Sequence, residues 1–313
     1  MSATTRSVEH KMSVRAPAEE IYELIADVTN WPRIFPPSVL VEYVERNEAD
    51  ERIRIWATAN GEAKTWTSRR VLRPGRLRVD FRQEKSQSPV AAMGGAWVIE
   101  PISEVESRVR LLHDYRAEND DAEKLSWLDE AVDRNSKAEL AALKANAELG
   151  VDAAGPVMTF EDTVRINGET ADVYDFVNDA RLWAERLPHV ARVVLTEDTP
   201  GLQLLEMDTR TKDGSTHTTR SVRVCFPHTR IAYKQIEVPP LMTVHIGQWT
   251  FVPGPGGVDA TSRHTVVINE PNITKILGDG ATMADAKKFV RDALGTNSLT
   301  TLEHARKYAE TRI

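Results

Sequence analysis

One cysteine in 313 residues, Cys225, excludes an internal disulfide and fits a reducing compartment, so the cytoplasm is the expected location. No apolar run approaches the ~20 residues that a membrane-spanning helix needs. The opening M-S-A-T-T-R-S-V-E-H lacks the apolar core of a secretory signal. An excess of positive charge is missing too. With 40 Lys and Arg against 47 Asp and Glu, the net charge is −7, which argues against a nucleic acid or an anionic membrane as partner. The eight histidines show no H-E-x-x-H or similar ligand spacing, so no metal site is expected. What is present, 41% hydrophobic and 28% charged residues, is ordinary for a globular chain. The length predicts two domains of ~100–200 residues.

Those two domains read as copies, at a period of about 152 residues. V-R-A-P-A-E-E-I-Y-E-L-I-A-D-V-T-N-W (14–31) matches I-N-G-E-T-A-D-V-Y-D-F-V-N-D-A-R-L-W (166–183) without a gap, pairing Tyr22 with Tyr174 and Trp31 with Trp183. Trp97 likewise pairs with Trp249. The junction is expected at 147–156, rich in Gly, Ala and Pro, giving domains at 1–150 and 156–313.

Each half repeats one order of elements. A strand (8–15; 158–166) precedes a helix with acidic residues in its first turn, and Trp-Pro at 31–32 is expected to end or redirect the first of these helices. Alternating segments follow, separated by turn signals at 45–51, 73–76 and 253–257. A long helix closes each half. Its apolar stripe runs through Leu125, Leu128, Val132, Leu140, Leu143 and Ala147 in the first, and through Met283, Ala286, Val290, Leu294, Leu302 and Ala305 in the second. This α+β order predicts a curved antiparallel sheet gripping one helix, with a cavity between them.

The strand W-T-S-R-R-V at 66–71 carries the sharpest chemical signal. Period two puts Trp66, Ser68, Arg70 and Leu72 on one face and Arg69 on the other. The face with the tryptophan is the interior candidate, so Arg70 is expected inside. A buried guanidinium needs a partner or an anionic ligand. Either it pairs with an acid such as Asp80 or Asp114 and holds the sheet, or it faces a substrate. No His–Asp arrangement accompanies Ser68 in the sequence, so a nucleophile reading has no support. Trp31, Phe35, Trp66 and Trp97 read either as core or as cavity walls.

N-W-P-R-I-F, W-T-S-R-R-V and A-W-V-I resemble segments of bacterial polyketide aromatase/cyclases of the Bet v1/START-like helix-grip superfamily. The doubled form resembles the didomain aromatase/cyclases of type II polyketide synthases. The resemblance implies two tandem helix-grip domains and a cofactor-independent cyclase/dehydratase. Its substrate would be a poly-β-ketone on an acyl carrier protein, reduced once by a ketoreductase, whose first ring is closed and dehydrated. Acyl carrier protein, ketosynthase and ketoreductase are the implied partners. Arg70 and Ser68 match catalytic positions, while Trp31, Phe35, Trp66, Arg82 and Trp97 match substrate-binding ones. A guanidinium in a dry cavity would stabilise the enolate of an aldol closure. Ser68 would relay a proton through water during dehydration.

In the second copy H-T-T-R-S-V at 217–222 sets His217, Thr219 and Ser221 against Trp66, Ser68 and Arg70, and Leu187 against Phe35. The inward arginine is thus expected to be lost there. Trp183, His217, Thr219 and Trp249 are expected to line an altered pocket, with ring closure in the first half. The competing reading is a non-catalytic carrier of a hydrophobic small molecule.

Overall fold

The computed structural model describes residues 5–59, 61–86, 88–149, 155–210 and 214–312. The chain divides into two compact units, Met1–Asp152 and Ala153–Ile313. Part of the expected junction, residues 150–154, lies outside the described residues.

In the first unit β1 (Arg6–Val14) leads into α1 (Ala18–Ala26) and the short α2 (Trp31–Ile34). Six strands follow: β2 (Ser38–Arg46), β3 (Asp50–Ala59), β4 (Glu62–Arg73), β5 (Arg78–Gln83), β6 (Val90–Ser103) and β7 (Glu106–Ala117). The long α3 (Ala122–Glu148) closes the unit. The strands form one antiparallel sheet in the order β1-β7-β6-β5-β4-β3-β2.

The second unit repeats the plan. It runs β8 (Val157–Ile166), α4 (Thr170–Asn178), α5 (Trp183–Arg186), β9 (Val190–Thr199), β10 (Leu202–Arg210), β11 (Thr216–Phe226), β12 (Arg230–Glu237), β13 (Met242–Gly254) and β14 (Gly257–Ile268). A short α6 (Ile273–Leu277) and the long α7 (Met283–Glu310) end it, and its sheet order is β8-β14-β13-β12-β11-β10-β9. Both units are therefore helix-grip folds of the α+β class.

Local chemistry explains the helix boundaries. α1 buries Ile21, Tyr22 and Ile25 on one face, with Glu19 and Glu20 at its positive end. It stops at Ala26. Trp31-Pro32 does not end it but opens α2, because a proline lacks only an N–H that a first helical turn leaves unpaired anyway. Asp121 caps α3 by accepting from the N–H groups of Glu123 and Lys124. Thr282 and Asp285 cap α7 with a reciprocal box. Leu128, Val132, Leu140, Leu143 and Ala147 bury the α3 stripe, and Ala286, Val290, Leu302 and Ala305 bury that of α7.

One turn is shorter than its composition implied. β3 begins at Asp50, so Glu51 belongs to the strand rather than to the 45–51 turn. In the β3–β4 pairing Glu51 stands directly opposite Arg70. The site turns on that position.

Candidate active site

β4 has the expected phase: Ser68 and Arg70 are buried, and Arg69 is exposed. Arg70 is among the most enclosed side chains of the unit, 1% exposed. Its Nη2 donates to the carbonyl oxygens of Ile25 and Ala26, each at 3.0 Å, at the negative end of α1. Its Nη1 lies 3.3 Å from Oε2 of Glu51, itself buried. The guanidinium carbon sits 5.2 Å above the Trp31 ring. The acid that meets Arg70 is thus Glu51. Asp80 is taken by Arg73 and Arg78, and Asp114 by Arg82.

Trp31, Phe35 and Trp97 converge beside this ion pair. Trp31 meets Phe35 edge-on at 5.6 Å, and Phe35 stacks on Trp97 at 6.0 Å. Trp66 packs on a neighbouring apolar cluster with Val28, Val41, Ile53 and Ile55. Ser68 Oγ donates to the carbonyl of Arg82 at 2.9 Å, so its proton is committed to the sheet. Arg82 itself does not join the group. Its neighbours in β5, Phe81 and Gln83, lie on the opposite face, and alternation turns Arg82 outward, where it is exposed and paired with Asp114 at 2.7 Å.

The second unit corrects the expected pairing of the two strands. Arg223, not Ser221, occupies the place of Arg70. Its Nη2 donates to the carbonyl of Val177 at 2.6 Å and its Nη1 to that of Asn178 at 3.2 Å, the last carbonyls of α4. Its guanidinium carbon lies 5.2 Å above Trp183. In register Arg223 faces Gln203 and Ser221 faces Leu205, just as Arg70 faces Glu51 and Ser68 faces Ile53. Thr219 therefore stands where Trp66 does. The inward arginine is kept, and what changes is its neighbour. Gln203 replaces Glu51 and donates to Asn178 and Glu197. Among the described residues no carboxylate forms an ion pair with Arg223, which is 1% exposed.

This guanidinium lines a cavity of about 110 Å³. Trp183, His217, Thr219 and Trp249, the four residues expected to form the second pocket, all line it, as does Ser221. The remaining wall was not legible in the sequence. It includes Tyr233 of β12, His245 of β13, His264 of β14 and His189 before β9. Tyr233 hydroxyl and His245 Nε2 approach Nδ1 of His264 at 3.4 and 2.9 Å, and Ser262 Oγ approaches its Nε2 at 3.0 Å. Burial lowers His217 below the ordinary histidine range and pushes His189 and His264 down to about 4, the nearby His304 assisting at His189.

In the first unit the corresponding side chains are Phe81, Met93 and His113, set by the same pairing about Gly95 and Gly247. His113 Nδ1 lies 3.4 Å from Ser136 Oγ, and burial pushes it down to about 4. Glu139 of α3 is half-buried, and burial raises its carboxyl to about 7. Among the described residues no group of three or more His, Cys, Asp or Glu is arranged to hold a metal ion. No described helix is long and apolar enough to cross a membrane.

Comparison with known proteins agrees with this architecture. The family model for polyketide cyclase/dehydrase and lipid transport matches residues 5–148 and again 158–305. The granaticin polyketide synthase bifunctional cyclase/dehydratase of Streptomyces virginiae is 49% identical over 296 residues, 94% of this chain and 97% of that protein. The actinorhodin counterpart of Streptomyces coelicolor is 46% identical over 309 residues, 95% of each chain. Among solved structures, the di-domain ARO/CYC BexL from the BE-7585A biosynthetic pathway is 59% identical with a TM-score of 0.92, over 97% of this chain and 99% of that one. With this sequence similarity running through both units, each an antiparallel seven-stranded sheet with a long closing helix, the chain belongs to the polyketide cyclase/dehydrase and lipid transport family, as a tandem helix-grip member.

Proposed function

We propose that this chain closes and dehydrates the first six-membered ring of a poly-β-ketone, already reduced once by a ketoreductase and held on an acyl carrier protein. In this reading the second unit's cavity carries the chemistry, with Arg223 and Ser221 in the roles first assigned to Arg70 and Ser68. The observation that carries it is Arg223: an enclosed guanidinium that lines a cavity and, among the described residues, forms no ion pair with a carboxylate.

An aldol closure joins an enolate carbon to a ketone carbon, and negative charge develops on oxygen at both steps. A fixed cation in a water-poor cavity stabilises that charge with no reorganisation. Arg70 already has the Glu51 carboxylate at 3.3 Å and is the weaker electrostatic candidate. Ser68 is committed to a backbone carbonyl, whereas Ser221 faces the cavity. Trp183 and Trp249 supply flat walls against which a ring-forming segment is held in one orientation. Condensation and water loss exchange no electrons with a partner, so the reaction calls for no redox cofactor.

The cavity of about 110 Å³ is smaller than the ~300–1,000 Å³ of pockets that bury drug-sized ligands, so it takes the atoms of one ring with the rest of a chain outside.

The test is Arg223→Gln in the full chain, supplied with a poly-β-ketone on its carrier protein by the synthase enzymes. Removing one such donor lowers the rate ~10²–10³-fold. Spontaneous shunt products should replace the regiospecific ring. A wild-type product profile from the folded variant would overturn the assignment.

A further inference from the structure

Three residues of the same cavity wall each carry a buried polar atom with no hydrogen-bond partner among the described residues: Nδ1 of His189, Oε1 of Gln235 and Nδ1 of His245. Buried polar groups are paired in the great majority of cases, so three open ones on one cavity wall point to a polar ligand. His245 is the most telling. It is 2% exposed, and the first unit has Met93 at the equivalent place, opposite Tyr115 as His245 is opposite Val266. The imidazole is not needed to build this fold.

The partners of His264 decide which nitrogen of His245 is open. Its Nδ1 faces both the Tyr233 hydroxyl and His245 Nε2. Assigned from these partners, Nδ1 of His264 accepts from both, and its Nε2–H donates to Ser262. His245 then carries its proton on Nε2. The unpartnered Nδ1 is a bare lone pair.

We propose that His245 is the base of the dehydration step and Tyr233 its acid, acting on a closed ring whose ketone oxygen faces Arg223. This rests on the cyclase/dehydratase reading above. In the step, His245 Nδ1 takes the C–H proton next to the ring ketone. The electron pair forms the enolate held by Arg223. It then returns to make the C=C bond as the C–O bond to the β-hydroxyl breaks. Tyr233 gives its proton to the departing oxygen, and water leaves. His264 Nδ1 touches both groups and holds them in place. When product and water leave, His245 gives its Nδ1 proton to the solvent that refills the cavity and the tyrosinate takes one from it, so both groups return neutral to their starting tautomers. His264 positions them without touching the substrate.

Size and charge agree with this step. A dry cavity of about 150 Å³ accepts benzene, so one six-membered ring is near the limit for this one. Burial first, then the neighbouring His264, holds His245 well below the usual histidine range, so it rests neutral with its lone pair free, though weakened as a base. An enolate forming beside it favours the imidazolium and raises that basicity. The phenol-forming product is flat, as the Trp183 and Trp249 walls require.

The probe is 5-hydroxycyclohex-2-enone, a single ring that becomes phenol on losing water. It is offered to the full chain and followed by phenol absorbance, with ring-proton exchange in D2O followed by mass spectrometry. General acid–base groups contribute ~10²–10⁴-fold. His245→Met, which installs the first unit's residue, should lower both exchange and phenol formation by at least ~100-fold. Tyr233→Phe, which installs the residue at Phe81, should slow phenol formation while exchange continues. Wild-type rates in His245→Met overturn the proposal, as does a Tyr233→Phe chain that forms phenol normally. If the wild-type chain processes the carrier-bound polyketide but not the probe, this inference fails and the functional reading stands. If it fails on the carrier-bound chain, that reading falls.

Discussion

Replacing Arg70 by methionine should damage the first unit's stability more than it damages catalysis. Glu51 has no solvent exposure of its side chain and Arg70 has 1%, so Arg70→Met leaves the buried carboxylate with the exposed Arg46, whose Nε lies 3.0 Å from Oε1. Breaking a fully buried pair costs ~3–5 kcal/mol; the Arg46 contact offsets part of this, while the last two carbonyls of α1 lose their donor. Glu51→Gln should cost less, ~1–3 kcal/mol, because the second unit already holds the same guanidinium opposite Gln203. In the double variant the methionine no longer faces a carboxylate. Its loss should therefore fall short of the sum by ~0.5–3 kcal/mol. Urea unfolding followed by tryptophan fluorescence reads this directly. Trp31, Trp56, Trp66, Trp97 and Trp127 all lie in the first unit, against Trp183 and Trp249 in the second. Two units preclude a single unfolding free energy, so the first unit's midpoint is the quantity to follow. At a temperature where Arg70→Met remains folded, ring closure per folded molecule should hold. An unmoved midpoint combined with lost ring closure would refute the structural role and return the chemistry to Arg70.

Two further outcomes follow from the same geometry. Gln203→Glu would place beside Arg223 the acid that Glu51 places beside Arg70. Turnover per folded molecule should fall at least ~10-fold through loss of free positive charge, while thermal stability drops because the new carboxylate meets Glu197, which now accepts from Gln203 at 2.9 Å; unchanged turnover would show that Arg223 does not act through its field. Glu139 is raised by burial to about 7, so the folded state binds this proton more tightly than the unfolded chain. Its contribution to stability is present at acid pH, declines as pH rises from the ordinary carboxylate range through about 7, and is flat above that. Glu139→Gln should remove this decline, measured as urea midpoints at about pH 5 and about pH 7.5; an unaltered pH dependence would contradict the assignment.

The contrast between Ser221 and Arg223 shows how far the sequence could be read. Alternation placed His217, Thr219 and Ser221 on the inward face, and all three line the cavity. Matching H-T-T-R-S-V to W-T-S-R-R-V nevertheless set the strand two positions too low. A shift of two preserves the face, so no local pattern exposes the error. The level along the strand is fixed by the pairing of β11 with β10 and of β4 with β3, a contact between separate segments. Glu51 was hidden for a related reason. Its acidic, turn-like surroundings masked the first residues of β3, and only the opposite strand reveals that it meets Arg70. Arg82 was carried to the pocket by similarity across a turn of different length, and its own alternation with Phe81 and Gln83 sends it outward.

Signals within one element or repeated between the halves were settled by sequence alone. These are the duplication, the order of strands and helices, the apolar stripes of the long helices, and the inward phase of Ser68 and Arg70. Each depends on spacing along the chain, which sequence records. Tertiary structure alone decided which charge meets which. Glu51 neutralises one guanidinium, Gln203 leaves its twin uncompensated, and Tyr233, His245 and His264 come from three strands to share one cavity. Such groups lie far apart in the chain, and only the register of the folded sheet brings them within hydrogen-bonding distance.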